Sequence, residues 1–277
     1  MLFSIAVMTH PSRHSRLLAL IDDLSSQIDI GQVSIVVDRN CDGIWETASR
    51  AWLSFDISAQ YHLVLQDDAL LCDNFVKHLP SVIGSLPSDA TVSFCDNFPV
   101  MNDVVRKNKH WLVISAVHNA CALLQPVSQI KHFVEWNNRH VRPEYFHDDL
   151  RLDMYLKKHD KTCWHTLPQL VRHDNQGSVH SMVSGIQDKR SALPTEFNWI
   201  GKGVDITQVD WSTANYNVHY TRPYTELNIG QRWAIGEVVL DSKQETMLKS
   251  INSLIWNDDS LRISYQEAMI KKPRGEQ

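Results

Sequence analysis

The stretch Tyr61–Phe75, YHLVLQDDALLCDNF, constrains the fold more than any other segment of the 277-residue chain. Leu63, Val64 and Leu65 form an unbroken apolar run, as a strand does when both its faces are covered in a parallel sheet, and Gln66, Asp67 and Asp68 follow at once. Two adjacent carboxylates therefore stand at the carboxyl end of a buried strand. In open α/β sheets that edge binds ligands, and like charges so placed repel unless a cation or a shared proton relieves them. A hard divalent ion answers that need: magnesium is commonly held by one or two carboxylates plus phosphate oxygens, and manganese accepts the same ligands. The pair predicts a metal anchor for a diphosphate, and Asp68→Ala is expected to leave the fold largely undisturbed. The competing expectation is a solvated turn, or a cap for a helix starting near Asp73.

The surrounding segments set the topology. Leu2 to Met8 reads as a first strand, Thr9-His10-Pro11-Ser12-Arg13 as the loop at its end, and Leu17, Leu18, Leu20, Ile21 and Leu24 recur at helical spacing. Val33 to Val37 is a second strand, closed by the turn Asp38-Arg39-Asn40-Cys41-Asp42-Gly43. A helix from Ile44 to Leu53 follows, with Trp45, Ala48 and Trp52 on one face. Strand, helix, strand, helix, strand is the pattern of a doubly wound α/β fold, a Rossmann-like, mostly parallel sheet flanked by helices. Three loops then converge on one edge, carrying His10 and Arg13, Asp38 and Arg39, and Asp67 and Asp68. Further on, the pattern predicts a helix over Asn74–Ile83 and a strand over Thr91–Cys95. Extended runs follow at Trp111–Val117 and Ala120–Leu124, then a helix over Val127–Trp136. Asp148 and Asp149 open another helix, where the backbone dipole favours their anionic form. A short strand, Gln169–Val171, leads to Arg172, His173 and Asp174. After Ser184 the texture changes, so residues 1–185 form the main domain and residues 186–277 a C-terminal extension or small accessory module, with a terminal helix expected over Gln244–Trp256.

Composition excludes some classes. A net charge of −5 argues against a protein that coats nucleic acid non-specifically. The five cysteines are scattered and lack any CxxC pair, which predicts reduced thiols, a cytoplasmic location and no zinc site. The apolar start MLFSIAV is too short to span a membrane, and no membrane span is expected.

The succession VVDRNCDG, LQDDA, a helix opening on HDD, and PQLVRH resembles the GT-A-fold glycosyltransferases over about residues 1–185, and is similar to glycosyltransferase family 2 and to lipopolysaccharide-type transferases. The resemblance implies a GT-A-like fold, a nucleotide-sugar donor and a manganese or magnesium ion. It implies that Asp38 contacts the nucleotide base, that Asp67 lies against sugar or ribose hydroxyls, that Asp68 ligates the metal and that His173 supplies a further ligand. His10 and Gln66 complete the donor site on the same loops. Arg13, Arg39 and Arg172 are candidates for phosphate contacts, since guanidinium matches phosphate oxygens bidentately. An inverting transfer needs a base for the acceptor hydroxyl, and Asp149, with Asp148 as its alternate, holds the place the resemblance assigns to it. Helix capping by the two acids is the other expectation.

Rival functions come from other classes. A metal-dependent phosphoesterase or nuclease would also want clustered acids on a sheet edge, but the first strand ends in Thr9-His10-Pro11 with none. A nucleotidyltransferase should show a Gly-rich loop there, which THPSRH is not. A non-catalytic carbohydrate- or nucleic-acid-binding protein is the third alternative, through the single aromatics of the last third. For the acceptor, Lys131–His180 interleaves basic residues with Trp136, Tyr145, Phe146, Tyr155 and Trp164. That pattern suits a phosphorylated glycan or a hydroxymethylated pyrimidine in phage-type DNA, with the glycan ranked first. A solvated helix face over buried aromatics is the alternative.

Overall fold

Apolar strands alternate with amphipathic helices from the start of the chain. The computed structural model describes residues 2–96, 101, 109–117, 119–143, 147–174 and 209–211. β1 (Phe3–Thr9) lies between β2 (Val33–Val37) and β3 (Tyr61–Gln66), and all three run parallel. The chain thus passes outward from β1 to β2, then returns past β1 to β3. Such a reversal opens a crevice at the carboxyl ends of the two inner strands, here β1 and β3.

The crossover helices, His14–Ser25 after a short 3-10 turn at Pro11–Arg13, and Ile44–Leu53, serve opposite faces. Ile5 and Val7 of β1 and Leu63 and Leu65 of β3 pack with Leu20 and Leu24, and with Phe75, Leu79 and Val82 of the helix Phe75–Gly84. Alternate residues, Ser4 and His62, point the other way, where Trp52 meets His62 and Phe133 edge-on. Phe133 belongs to the helix Val127–His140, which this face shares with the helix Asp148–Lys158. With both faces covered, the central strand has no reason to alternate in polarity, and it does not.

Beyond β3 the sheet continues through β7 (Ala122–Pro126), β5 (Thr91–Ser93) and β8 (Cys163–Thr166) to β6 (Trp111–Ile114). β7 is antiparallel to β3 and β5, and β6 is antiparallel to β8, while β5 and β8 run parallel to each other. The seven-stranded sheet is therefore mixed, with β7 and β6 opposed to the rest. A doubly covered antiparallel strand carries the same apolar run as a parallel one, so the sequence does not distinguish their directions. A second sheet of two strands pairs β4 (Ala69–Leu71) with β9 (Val171–His173).

Neither β4 nor β8 is evident in the sequence. β4 is three residues long, and β8 reads CWHT because its buried His165 is satisfied, with Nε2 3.0 Å from the Ala116 carbonyl and Nδ1 3.3 Å from Asp96. All five cysteines are free. The chain divides into two compact units, Met1–Val141 with Phe146–Val218, and Arg142–Tyr145 with His219–Gln277, and the described residues fall almost wholly in the first. Trp211 is buried in that first unit, where its carbonyl accepts from Trp111 Nε1 at 3.2 Å. The helix expected over Gln244–Trp256 lies outside the described residues. Among the described residues no helix is long and apolar enough to cross a membrane.

Candidate active site

The crevice between β1 and β3 is built first from backbone. Asp67 N donates to Met8 O at 3.1 Å and Asp38 N donates to Thr9 O at 2.9 Å, which draws the loops after β3 and β2 onto the end of β1. Asp38 is buried and turned into its own loop, its carboxylate accepting from Asp42 N at 2.8 Å and Gly43 N at 3.3 Å. Gly43 has φ +107°, which only glycine adopts without strain, and this lets the turn close and the next helix start. Asp38 thus holds the shape of the loop. Arg39 beside it is exposed. His10 joins the first two loops: its Nδ1 accepts from Ser12 N at 3.2 Å and its Nε2 lies 3.6 Å from Cys41 Sγ.

Asp67 and Asp68 are each only 3 % exposed, which rules out a solvated turn. The following helix has Asn74, not either acid, at its N-cap, so helix capping does not explain them either. Asp67 accepts from Thr9 Oγ1 at 2.6 Å and from His10 N at 3.3 Å. Arg13 spans the pair, Nη1 to Asp67 Oδ1 at 2.7 Å and Nη2 to Asp68 Oδ2 at 2.8 Å. Burial raises the Asp67 carboxyl above its ordinary range, opposed by Arg13 and Thr9. For Asp68 burial acts the same way but is outweighed by His173 and Arg13, which bring it down to about 2. The two acids are thereby made unequal. Asp68 is the one held firmly as an anion.

His173 arrives from more than a hundred residues away because β4 continues directly from the acids and pairs with β9, setting Ala69 opposite His173. Asp174 N closes the register by donating to Asp68 O at 2.8 Å, and His173 Nε2 comes to 3.2 Å from Asp68 Oδ2. Among the described residues no group of three or more His, Cys, Asp or Glu is arranged to hold a metal ion. Asp68 and His173 form a pair, one anionic oxygen and one imidazole nitrogen. That donor set fits a divalent ion that takes its other ligands from phosphate oxygens and water.

Gln66 connects this edge to the helix Asp148–Lys158. Its N donates to Cys121 O at 2.9 Å, fixing the end of β3, and its Nε2 donates to Asp148 Oδ2 at 3.1 Å. Burial, and then the neighbouring charge of Asp149, push the Asp148 carboxyl up to about 7. Asp149 is the more deeply buried of the two, and its Oδ1 accepts from Leu150 N at 2.7 Å in the helix's first turn. Asp148 Oδ1 likewise accepts from Asp149 N at 3.0 Å, so both acids serve the helix start and Asp148 is in addition linked to the sheet edge.

The structure adds residues that the sequence did not mark. Thr9 reaches Asp67, Arg16 Nη1 lies 3.9 Å from Asp68 Oδ2, and Cys121 Sγ lies 3.9 Å from Asp68 Oδ1. Arg16 was findable, since it follows Arg13 by one helical turn and so shares its face. Two aromatics of the basic segment are turned into the core, and Tyr145 and Phe146 lie outside the described residues. Trp136 and Tyr155 are buried and pack on each other, Tyr155 also meets Phe133, and Arg151 is buried with its guanidinium 4.5 Å over Trp45. No protein-family model matches the chain, and no curated protein matches it significantly in sequence.

Proposed function

We propose that the protein is a metal-dependent glycosyltransferase of GT-A type, moving a sugar from a nucleoside-diphosphate sugar to a hydroxyl acceptor with inversion. The observation that carries this reading is the meeting of Asp68, at the carboxyl end of β3, with His173 from a separate strand at 3.2 Å. The mixed sheet, with one antiparallel strand inserted after the central β3 and a small sheet that starts directly after the acid motif, is in keeping with it.

Asp68 and His173 are the residues that would hold a manganese or magnesium ion, whose chemistry here is to neutralise the departing diphosphate. Arg13 and Arg16 stand beside them as fixed positive charge for the same phosphates. His10, Asp38 and Gly43 shape the loops offered to the nucleotide, and Asp67, held by Thr9 through Oδ2 and by Arg13 through Oδ1, stands beside Asp68 at the donor edge. Asp148 takes the proton of the attacking hydroxyl. Its upward shift to about 7 makes it a far better proton acceptor than an ordinary carboxylate and leaves much of it ionised at neutral pH. Gln66 donates to the Asp148 carboxyl and so orients it.

A glycan is the acceptor favoured here. Trp136 and Tyr155, two of the aromatics that would stack on an extruded base, are packed into the protein, which weakens the case for the hydroxymethylated pyrimidine. Incubating the protein with a panel of nucleotide sugars, with and without manganese, tests the proposal. A glycosyltransferase releases a nucleoside diphosphate slowly to water and only with the ion. Release of inorganic phosphate, or cleavage of bis(p-nitrophenyl) phosphate, would replace it with a phosphoesterase.

A further inference from the structure

Arg13 occupies the position at which the acid pair requires a cation. Its guanidinium fork takes one oxygen of each acid, at 2.7 Å and 2.8 Å, and relieves the repulsion that two buried carboxylates would otherwise suffer. The oxygen it takes from Asp68 is Oδ2, and the same atom lies 3.2 Å from His173 Nε2. An ion held jointly by Asp68 and His173 would need that oxygen. A guanidinium and a divalent cation cannot share it in a buried site without strong repulsion, because unit charges a few Å apart interact by several kcal/mol even at an effective dielectric of about 20.

We infer that Arg13 is the resident counter-ion of Asp67 and Asp68, that a divalent cation binds by displacing it, and that the freed guanidinium passes to the diphosphate of the donor. The inference rests on the metal and diphosphate reading above and gives it an order of events. Two further observations point the same way. Arg13 Nε is buried with no hydrogen-bond partner, and so is Arg16 Nη1, so both guanidiniums hold donors in reserve for an anion. Arg13 also sits at the junction of the 3-10 turn and the His14–Ser25 helix, at the positive end of that helix's dipole, which favours an anion. Cation and diphosphate therefore bind together far better than either binds alone.

Calorimetry with manganese chloride alone, then with manganese and inorganic pyrophosphate, tests this on wild type and Arg13→Gln. Removing the guanidinium takes away the competitor and leaves the acids unneutralised, so Arg13→Gln should bind manganese alone about tenfold tighter or more. It should bind pyrophosphate in the presence of manganese about tenfold more weakly, having lost a bidentate phosphate contact. Arg13→Lys keeps the charge but cannot bridge both acids, so its manganese affinity should fall between the two; it carries the comparison if the glutamine variant does not fold. Equal manganese affinity in wild type and both variants overturns the inference and leaves the metal reading standing. No manganese binding by any of the three, even with pyrophosphate, overturns the metal reading and the inference with it.

Discussion

Replacing Asp148 by asparagine should make the protein more stable and far less active. Burial and the charge of Asp149 hold the Asp148 carboxyl at about 7, against an ordinary 3.8. The unfolded chain gives up this proton near pH 4 and the folded chain keeps it to near pH 7. The wild type therefore loses stability as pH climbs through that window and levels off above it. The full shift corresponds to roughly 4 kcal/mol, at about 1.36 kcal/mol for each pH unit, and relaxation of a half-buried site reduces what is realised. Asparagine never ionises, yet keeps an oxygen for Gln66 Nε2, the donor now 3.1 Å from Asp148 Oδ2. Urea melts should show Asp148→Asn more stable than wild type by about 2 kcal/mol at about pH 8, and by less than half of that at about pH 5. Turnover should drop by about two orders of magnitude or more with donor affinity nearly unchanged, because the loss falls on proton transfer. Surviving activity, or a stability gain equal at the two pH values, would refute the assignment.

Asp149→Asn should keep most of its turnover, since asparagine serves a helix start as well as aspartate; a loss as deep as that of Asp148→Asn, measured side by side, would return the base role to Asp149. His62, buried between Ser4 Oγ and the Ala51 carbonyl at 2.8 Å each, is held down to about 4 by burial. Its neutral form contributes stability above pH 6.5 that is lost as pH falls toward 4, by roughly 3 kcal/mol. This slope opposes that of Asp148, so between about pH 7 and pH 4 the two largely offset each other in wild type; relative to wild type, stability should fall with acid in Asp148→Asn and rise with acid in His62→Gln. Mobility-shift titration of hydroxymethylated duplex DNA at two salt concentrations should show no retardation at low salt; a shift that weakens steeply with salt would restore the DNA acceptor.

The strands and helices of the first half were legible because each is an apolar run or a helical stripe bounded by Gly, Pro, Asp or Asn. Val33–Val37 and Ile44–Leu53 have the bounds their sequences suggest, and β3 extends the apolar run Leu63–Leu65 to Tyr61 on one side and Gln66 on the other. His62 is buried in the strand because Ser4 and the Ala51 carbonyl satisfy it, a partnership no local pattern reveals. The acids could be placed at the sheet edge from sequence, and so could the converging loops. Their counter-ion could not. Read alone, Asp67 and Asp68 look like a repelling pair whose loss is harmless, whereas Arg13 bridges both, and truncating Asp68 should cost about 2 kcal/mol by stranding part of a buried guanidinium. Which of Asp148 and Asp149 meets Gln66 was equally hidden, because that contact joins residues more than eighty positions apart.

The central claim is that Asp68 anchors a divalent ion and, through it, a diphosphate at the end of β3. Calorimetric titration of uridine and guanosine diphosphates into wild type and Asp68→Ala, each with and without manganese, addresses it directly. At least one nucleotide should bind wild type only with manganese, and Asp68→Ala, shown by its melt to be folded, should lose that binding. Manganese-dependent affinity unchanged in Asp68→Ala would contradict the account.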